Sequence, residues 1–426
     1  MKQKINILLS FIGHFLIYFS CYIESPSLCA YLIRVSILKN KFSKKKISNK
    51  KIAIVLDRSI GHRDVEIIQE TSKKAPEFMF LRRSITKIIL YYFSEKKNFF
   101  FNYHHPPVSE KDYFNQNKIN RKKHEQFWEE IILSLKNYYS GKILNFVTFN
   151  YTYFAEAGLY AGCKKNDVPV KLWYKESIKT QLEADLQIKN SGTKFNQVFA
   201  NIQNISVYNE LVKKMFVKID KKNKKKITVN GCPRIYDYVI KRRYSKRIRN
   251  ILFLSFDSKR GIPQYKKNVN LNWNLTYDKV IKILNEISAD KKLNIVIKRK
   301  NKSTYKTSRR VNKRIKIFEN GTAQKFINQA DIVIGHNSAS TIEALINGKY
   351  VMVPFFEKKM MLKKYLYNFN KELIYTSEKN MKKSILNLVN KKVSFPLNNK
   401  KHQKTIQYYF GSYKNITQKY INFLNR

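Results

Sequence analysis

The chain has 426 residues, and 84 Lys and Arg against 30 Asp and Glu give it a formal net charge of +54. That length exceeds the usual size of one domain and favours two domains plus an appended segment. The lysines are spread along the chain and accompany an excess of Asn, Ile, Tyr and Phe, as an A/T-rich genome would encode. The sequence has no zinc-finger, RNP or KH pattern, so nucleic acid is not expected as a partner.

The N-terminal segment predicts an association with a membrane. Residues 5–23 carry no formal charge, and as a helix they would approach the thickness of a hydrocarbon core. Polar residues recur there at near-helical spacing, and a second apolar run covers residues 28–38, so an in-plane or partly inserted anchor is expected. Lysines between residues 39 and 51 place the body of the protein in the cytoplasm and predict an anionic membrane surface as partner. A buried helix and a cleaved signal peptide are the alternatives.

The first half of the chain alternates strand-like and helical patterns, which predicts a parallel α/β sheet. Predicted strands cover residues 51–57, 78–81, 143–149 and 170–174, and predicted helices cover residues 125–139 and 153–163. Residues 95–125 are expected to be rich in loops. No GxGxxG motif follows the first strand, so the dinucleotide-binding fingerprint is absent.

The second half repeats this alternation. Predicted strands cover residues 197–200, 205–207, 250–256, 293–298 and 315–318, and predicted helices cover residues 277–287 and 323–329. Residues 405–424 are aromatic and amphipathic, which predicts a terminal helix. The four cysteines form no CxxC or Cys/His cluster, so neither a zinc site nor a disulfide framework is indicated.

Residues 330–356 form the most informative segment. Two β-branched runs flank a helical pattern that ends at Gly348, which predicts a βαβ unit. The helix of such a unit starts at the carboxyl edge of the sheet, where backbone N–H groups favour an anion. Asn337, Ser338, Ser340 and Thr341 lie at that point, so a bound phosphate is predicted.

This segment, with Ser-x-Ser-Thr-x-Glu-Ala-Leu-x-x-Gly-Lys between two strands, resembles the donor-binding half of GT-B glycosyltransferases, notably bacterial surface-polysaccharide and capsule enzymes. Residues 227–237, with Gly-x-Pro-Arg-x-x-Asp, are similar to the hinge segment near the interdomain linker of that group. The resemblance implies an α/β fold of two Rossmann-like parallel-sheet domains facing a cleft, here preceded by an N-terminal apolar helical segment. Similar patterns occur in UDP-sugar 2-epimerases and glycerophosphotransferases.

The resemblance also implies roles for individual residues of the donor site. Ser338, Ser340 and Thr341 would contact the donor diphosphate, and Glu343 would bind the ribose hydroxyls. Residues 340–343 can equally be a capping box, in which Glu343 satisfies the first N–H of its own helix. His336 next to the turn is expected to contact a phosphate or the sugar, with an ordinary loop histidine as the alternative.

Lys298 ends the predicted strand 293–298 and is followed by two further cations. A basic group at that edge of the sheet can neutralise a diphosphate leaving group. The position resembles the strand-end Lys-Pro-His-Pro of related enzymes, of which Lys298 alone is matched here. A solvated basic loop is the alternative interpretation.

Two residues of the first domain are candidate catalytic groups. Glu176 follows the strand 170–174, where a carboxylate with a raised pKa could deprotonate an acceptor hydroxyl. A surface ion pair with Lys175 or Lys179 is the alternative for Glu176. His62, with Asp57 and Asp64, lies beyond the first strand and forms a second constellation.

These features together predict a metal-independent glycosyltransferase that moves a sugar from a nucleotide-sugar to a glycan or lipid-linked acceptor in surface-polysaccharide biosynthesis. No Asp-x-Asp occurs, which argues against the metal-clamped GT-A type, and no cofactor is expected beyond the nucleotide-sugar substrate. The expected location is the cytoplasmic face of the inner membrane. Alternatives are an epimerase or a glycerophosphotransferase of the same fold, and a non-enzymatic basic protein that binds membranes or nucleic acid.

The expected domain boundaries follow from these patterns. Residues 1–48 form the apolar segment with its basic linker, and residues 49–245 form an N-terminal acceptor domain. Residues 246–400 form the nucleotide-sugar donor domain, and residues 401–426 form a terminal helix that returns to the first domain.

Overall fold

A computed structural model gives the placement of most of the chain. It describes residues 2–37, 51–57, 62–94, 113, 118–151, 154–191, 200–240, 246–255, 273–290, 292–299, 310–335, 338–356, 371–391, 394–412 and 414–426. The predicted strand 197–200 lies almost entirely outside these residues. Most of the predicted loop 95–125 does as well.

The chain divides into two units, each with its own parallel sheet. The first unit comprises Met1–Ser177, Ile188–Arg234 and Ser412–Arg426, and the second comprises Ile178–Gln187 and Ile235–Gly411. The main passage from the first unit to the second lies between Arg234 and Ile235, inside the Gly-x-Pro-Arg-x-x-Asp segment.

The first sheet has six strands in the order β2-β1-β3-β4-β5-β6, and all neighbours pair in parallel. The strands are β1 (Ile52–Asp57), β2 (Glu77–Arg82), β3 (Ile143–Thr148), β4 (Val170–Trp173), β5 (Asn204–Val207) and β6 (Ile227–Val229). Four of the strands predicted from the sequence are confirmed as β1 to β4, and the predicted strand 205–207 is confirmed as β5. Their apolar runs are buried on both faces, as parallel strands covered by helices require.

Helices alternate with these strands along the chain. They are α1 (Lys2–Tyr22), α2 (Pro26–Ile37), α3 (His62–Thr71), α4 (Arg83–Phe93), α5 (Lys118–Tyr138), α6 (Ala157–Lys165), α7 (Gln181–Asn190), which straddles the division between the units, and α8 (Glu210–Ile219). The predicted loop 95–125 is wrong at its end, because α5 already begins at Lys118. The first turn of α5 is polar and gives no apolar period by which its start could be recognised.

The second sheet is also parallel, with the order β12-β11-β10-β7-β8-β9. Its strands are β7 (Asn250–Leu254), β8 (Asn294–Lys298), β9 (Lys316–Phe318), β10 (Ile332–Gly335), β11 (Tyr350–Pro354) and β12 (Ile374–Tyr375). The helices of this unit are α9 (Ile235–Ile240), α10 (Trp273–Ile287), α11 (Ala323–Gln329), α12 (Ala339–Ile346), α13 (Glu378–Asn390) and α14 (Lys400–Phe410). The predicted βαβ unit is confirmed as β10, α12 and β11, and the predicted helix 323–329 is confirmed as α11.

The predicted terminal helix 405–424 is wrong in one respect, because the segment forms two helices. The first, α14, ends at Gly411, whose φ of 68° is a conformation that glycine adopts without strain. The second, α15 (Ile416–Asn425), starts after Asn415, a left-handed residue with φ of 56°. The two helices belong to different units, since the division lies between Gly411 and Ser412.

Two buried side chains of the first sheet hold the end of α15. Asn145 donates from Nδ2 to the Leu424 carbonyl at 2.7 Å, and Lys171 donates from Nζ to the carbonyls of Phe423 at 2.7 Å and Leu424 at 2.9 Å. These bonds satisfy carbonyls that a helix leaves unpaired at its C-terminus. Burial, reinforced by the charge of Arg426, lowers the pKa of Lys171 to about 8.

The first two helices pack on the first unit. Helix α1 packs against α4 and α2, and α2 also packs against α5, burying Ile17, Cys21 and Ile33. The polar residues predicted to keep this segment at a membrane surface lie elsewhere than expected. His14 and Ser20 are buried, and His14 Nε2 lies 2.9 Å from Ser84 Oγ on α4. Among the described residues, no helix has the length and apolar character needed to span a membrane.

Helix α6 approaches α5 closely because of two glycines one turn apart. A Cβ on Gly158 would lie 2.6 Å from the His124 ring, and a Cβ on Gly162 would lie 2.7 Å from the Trp128 carbonyl carbon. The second contact is with backbone, which cannot turn away as a side chain can. Gly158 and Gly162 therefore have a packing role in this helix.

We expect Gly162→Ala to lower the free energy of unfolding by about 1 to 3 kcal/mol, because the added methyl overpacks the contact with α5. The control is Gly13→Ala in α1, where a Cβ would meet nothing within 4 Å. The control should stabilise the protein by up to about 1 kcal/mol through helix propensity. Chemical denaturation of both variants measures the difference, and equal stability would contradict the packing role of Gly162.

Candidate functional site

The second sheet has a point at which its strand order reverses. From β7 the chain continues to β8 and β9 on one side of the sheet, and from β10 it continues to β11 and β12 on the other side. Strands β7 and β10 are neighbours, so the strand order reverses between them. Ligands of open α/β sheets bind outside the carboxyl ends of the strands at such a switch point. Strand β10 ends there at Gly335, paired with Leu254 at the end of β7.

The turn after β10 is held close to the strand by Gly335 and Thr341. A Cβ on Gly335 would lie 2.4 Å from Thr341 Oγ1, so a larger residue would push the start of α12 away. Thr341 is fully buried, and its Oγ1 lies 3.1 Å from Ser338 Oγ. These contacts give Thr341 a part in positioning the turn. Its predicted contact with a diphosphate stays a prediction.

Helix α12 begins at Ala339, with the extended residue Ser338 as its N-cap. The Ser338 side chain makes no capping hydrogen bond to the first turn of this helix. Ser338 and Ser340 are both half-buried at the switch point. Helix N–H groups with a partial positive charge and two hydroxyls therefore lie together, an arrangement that suits a phosphate.

The capping-box interpretation of Glu343 is wrong. In a capping box the carboxylate belongs to the third helical residue and the hydroxyl to the N-cap. The N-cap is Ser338, which makes Thr341 the third residue and places Glu343 two positions further along α12. Glu343 is half-buried on the same helix. Its predicted contact with ribose stays a prediction.

Lys298 lies at the same edge of the second sheet. It ends β8 and pairs with Leu254, so Gly335, Leu254 and Lys298 are level on three successive strands. Two strand spacings separate the backbones of Gly335 and Lys298, which is about 10 Å. Lys298 Nζ donates to the carbonyl of Glu319 at 2.9 Å and also to that of Arg299. Burial lowers the pKa of Lys298, and the charge of Glu319 opposes this shift.

The interpretation of Lys298 as part of a solvated basic loop is wrong for this side chain. Lys298 is 6% exposed and its ammonium bonds two backbone carbonyls beside the switch point. His336 and Asn337, the two remaining predicted donor residues, lie outside the described residues.

The first sheet has its own reversal, between β1 and β3. Asn150 follows β3 and Glu176 follows β4, the next strand, so both lie beside this switch point. Asn150 is almost fully buried, and its Nδ2 donates to Glu176 Oε1 at 3.3 Å. Glu176 is exposed. A buried amide thus orients an exposed carboxylate.

His62, the other predicted catalytic residue, is the first residue of α3, which follows β1. It therefore starts at the same edge of the first sheet, although its side chain is not among those described. His62 and Glu176 belong to the first unit, whereas the described donor candidates belong to the second.

Asp64, which the sequence groups with His62, has a structural position. It is fully buried and accepts hydrogen bonds from the Tyr208 hydroxyl at 2.6 Å and from Arg234 Nε at 2.9 Å. Burial, followed by the charge of Asp64, raises the pKa of Tyr208. The Pro-Arg of the hinge segment is thereby tied to α3 of the first unit. Removing one member of such a buried pair leaves the other charge unpaired, which is strongly destabilising, so Asp64 has a structural role.

Glu156 is a buried acid that the sequence analysis missed. Its Oε2 accepts hydrogen bonds from Thr148 Oγ1 at 3.0 Å and from the Tyr160 hydroxyl at 2.5 Å. Burial lowers the pKa of Arg83, and the charge of Glu156 opposes this shift. The sequence gives no sign that residues 83, 148 and 156 are neighbours. They come together because β2 and β3 end at the same edge of the first sheet.

The described residues contain no group of three or more His, Cys, Asp and Glu side chains that could hold a metal ion. The described groups at the two switch points include the hydroxyls of Ser338 and Ser340, the Asn150 amide, the Lys298 ammonium and the exposed Glu176 carboxylate. These groups can bind a phosphate and accept a proton.

The sequence matches no protein-family model and no curated protein. Solved structures of similar fold were found. A protein assigned as UDP-N-acetylglucosamine 2-epimerase from Listeria monocytogenes aligns with a TM-score of 0.50 and 11% identity, over 88% of this chain and 95% of that one. The wall teichoic acid polymerase TagF aligns with a TM-score of 0.45 and 10% identity, over 98% of this chain and 97% of that one. The two six-stranded parallel sheets and the alignment with the first of these structures show that this chain has the GT-B fold.

If the turn after β10 binds a diphosphate, Ser338→Ala with Ser340→Ala should weaken nucleotide binding by about 1 to 3 kcal/mol, because each serine loses a hydrogen bond to a charged group. Isothermal titration with UDP, CDP, GDP and dTDP measures this. Ser377→Ala is a matched control, since Ser377 is also an N-cap serine without a side-chain cap, at the start of α13.

Thr341→Val separates binding from positioning. This change should lower the melting temperature, because it removes the buried hydroxyl and with it the hydrogen bond between Thr341 and Ser338. Equal nucleotide affinity in the double serine variant and the parent protein would contradict the phosphate site.

Proposed function

We propose that this protein is a glycosyltransferase that transfers a sugar from a nucleotide-activated donor to a glycan acceptor. The observation that carries the proposal is the start of α12 at the switch point of the second sheet, where Ser338 and Ser340 flank the helix terminus and the Ser338 side chain does not cap it. Nucleotide-sugars present a diphosphate, and this is the group that such a terminus binds.

The donor site has to stabilise charge on the leaving diphosphate. As the bond from the anomeric carbon to the diphosphate breaks, negative charge develops on the phosphate oxygens. Three kinds of group can stabilise the charge on these phosphate oxygens by hydrogen bonding or positive charge. They are the N–H groups of α12, the two serine hydroxyls and the Lys298 ammonium. Glu343, one turn further along α12, is our candidate for the ribose hydroxyls.

The acceptor hydroxyl has to lose its proton as it attacks. We assign that proton to Glu176, whose carboxylate is exposed and is oriented by the buried Asn150. The acceptor oxygen then bonds to the anomeric carbon, and the diphosphate leaves with the bonding electron pair. His62 at the start of α3 is the second candidate for this role.

We propose further that the acceptor is a membrane-linked glycan of a surface polysaccharide, used at the cytoplasmic face of the inner membrane. The support for this step is the sequence: the resemblance of residues 330–356 to capsule enzymes and the apolar N-terminal segment followed by lysines.

A nucleotide-sugar epimerase is the second candidate function. It is favoured by the alignment with the Listeria monocytogenes protein, which is assigned as a UDP-N-acetylglucosamine 2-epimerase and is matched over 95% of its length. An epimerase would use the same phosphate site at α12 and would need no acceptor.

Incubation of the protein with radiolabelled nucleotide-sugars and bacterial membranes distinguishes these functions. Label that moves to a lipid or glycan fraction supports the transferase. Interconversion of the soluble sugar supports the epimerase, and nucleotide binding without turnover would contradict both.

We expect Glu176→Gln to reduce turnover roughly a hundredfold while donor affinity stays unchanged, because the variant keeps the hydrogen bond from Asn150 but cannot accept a proton. The control is Glu210→Gln, which changes an exposed acid of the same unit at the start of α8. Steady-state kinetics with titration of the donor separates the two effects. Full activity of Glu176→Gln would remove Glu176 from the mechanism and leave His62 as the candidate.

Turnover should also persist in EDTA, because the sequence lacks the Asp-x-Asp that clamps a metal on the donor diphosphate. The measurement is the rate of transfer in chelator, with and without added Mg²⁺ or Mn²⁺. Loss of activity that either ion restores would contradict the metal-independent mechanism.

A further inference from the structure

The described side chains of helix α1 depart from the usual distribution, because polar residues are buried beside Ile17 and Cys21 while large apolar residues are exposed. A helix on the surface of a protein normally buries its apolar face and exposes its polar face. In α1 the buried face includes His14 and Ser20, and His14 is hydrogen-bonded to Ser84 on α4. The protein interior therefore covers polar groups of this helix, while large apolar side chains remain exposed.

The exposed residues form a continuous stripe. Five residues of α1 and Ile23 just beyond its end are between 37% and 68% exposed, and they recur at helical spacing along one side: Ile12, Phe15, Leu16, Phe19, Tyr22 and Ile23. The stripe spans about 16 Å along the helix axis at 1.5 Å per residue. An exposed apolar patch of this kind marks an interaction surface.

The net charge of the protein favours an anionic surface over a second copy of the chain as the partner of this stripe. A second copy of the chain would bring another +54 to the contact, and a net charge so far from zero opposes self-association. An anionic surface is attracted by the same charge. Basic residues flank the stripe in the sequence on both sides, at positions 2, 4, 34, 39, 41, 44, 45, 46, 50 and 51.

The residue types of the stripe match a lipid interface. Phe15, Phe19 and Tyr22 are aromatic, and aromatic side chains concentrate at the boundary between headgroups and acyl chains. Arg34 on α2 lies 4.8 Å from the Tyr31 ring centroid and 3.9 Å from the Tyr138 ring centroid, and both tyrosines are exposed. A cation held over exposed aromatic rings suits contact with anionic headgroups.

We propose that the exposed face of α1 docks in the plane of an anionic lipid bilayer, with Phe15 and Phe19 entering the acyl boundary and Arg34 on the headgroups. The buried face of α1, which carries His14 and Ile17, stays packed on the first unit, so the helix inserts as part of that folded unit and does not leave it. The inference extends the proposed function by naming the surface at which it would act, and its test requires no catalysis.

The test uses the full-length protein and sedimentation with vesicles. One set contains phosphatidylglycerol and phosphatidylethanolamine, and the other contains phosphatidylcholine alone. The parent should bind the anionic vesicles more strongly, and high salt should reduce that preference without abolishing attachment. Phe15→Glu with Phe19→Glu should reduce the bound fraction roughly tenfold or more, because two apolar anchors become charges.

The matched control is Leu275→Glu with Leu386→Glu, which places the same two charges on exposed apolar residues of α10 and α13 in the second unit. It should bind vesicles like the parent. If Phe15→Glu with Phe19→Glu does not fold by circular dichroism, Tyr22→Ser with Ile23→Ser replaces it, since these side chains are also in the stripe. Loss of binding in either stripe variant, with the control unaffected, supports the proposal.

Two results would overturn it. The first is parent-like vesicle binding by a folded stripe variant. The second is a concentration-dependent dimer or an acidic protein partner, detected by light scattering or pull-down, that the stripe variants lose while they still bind vesicles. Nucleotide titration of the same variants keeps this inference separate from the proposed function. If the protein binds vesicles but no nucleotide, the proposed enzymatic function is contradicted and the proposed membrane-binding surface is still supported.

Discussion

Parallel pairing of the strands is the constraint on which both candidate sites depend. When all strands of a sheet run the same way, every strand ends at the same edge, and residues far apart in the chain meet there. Gly335, Leu254 and Lys298 become level in this way, although more than one helix separates them in sequence. Asn150 and Glu176 meet by the same rule in the first sheet.

The parts of the fold that could be predicted are those whose signal is local. Strands buried on both faces read as short β-branched runs, and β1, β3, β8 and β11 could be recognised from such runs. The βαβ unit at residues 330–356 carries in addition a polar turn and a glycine C-terminal to its helix. Local patterns therefore predicted the α/β class and the turn between β10 and α12, and the GT-B fold followed from a resemblance.

The parts that could not be predicted depend on long-range packing. Helix α4 follows β2 directly, so no turn residue separates the strand from an apolar helix. The ion pair of Asp64 and Arg234 joins residues 170 positions apart, and their separate sequence contexts give no sign of it. The polarity of α1 is a similar case: the period of its polar residues was visible, but the sequence could not show that α4 covers them.

Packing also divides the roles within one motif. Ser338, Ser340 and Thr341 are equivalent in sequence as hydroxyl residues at the start of a helix. The close approach of Thr341 to Gly335 buries its hydroxyl, while Ser338 and Ser340 remain half-buried at the switch point. A sequence motif can thus mark where an anion would bind, but the contact between a glycine and a threonine determines which of its hydroxyls remain available to the anion. The glycine at the end of β10 belongs to the site as much as the serines do, because it sets the position from which α12 starts.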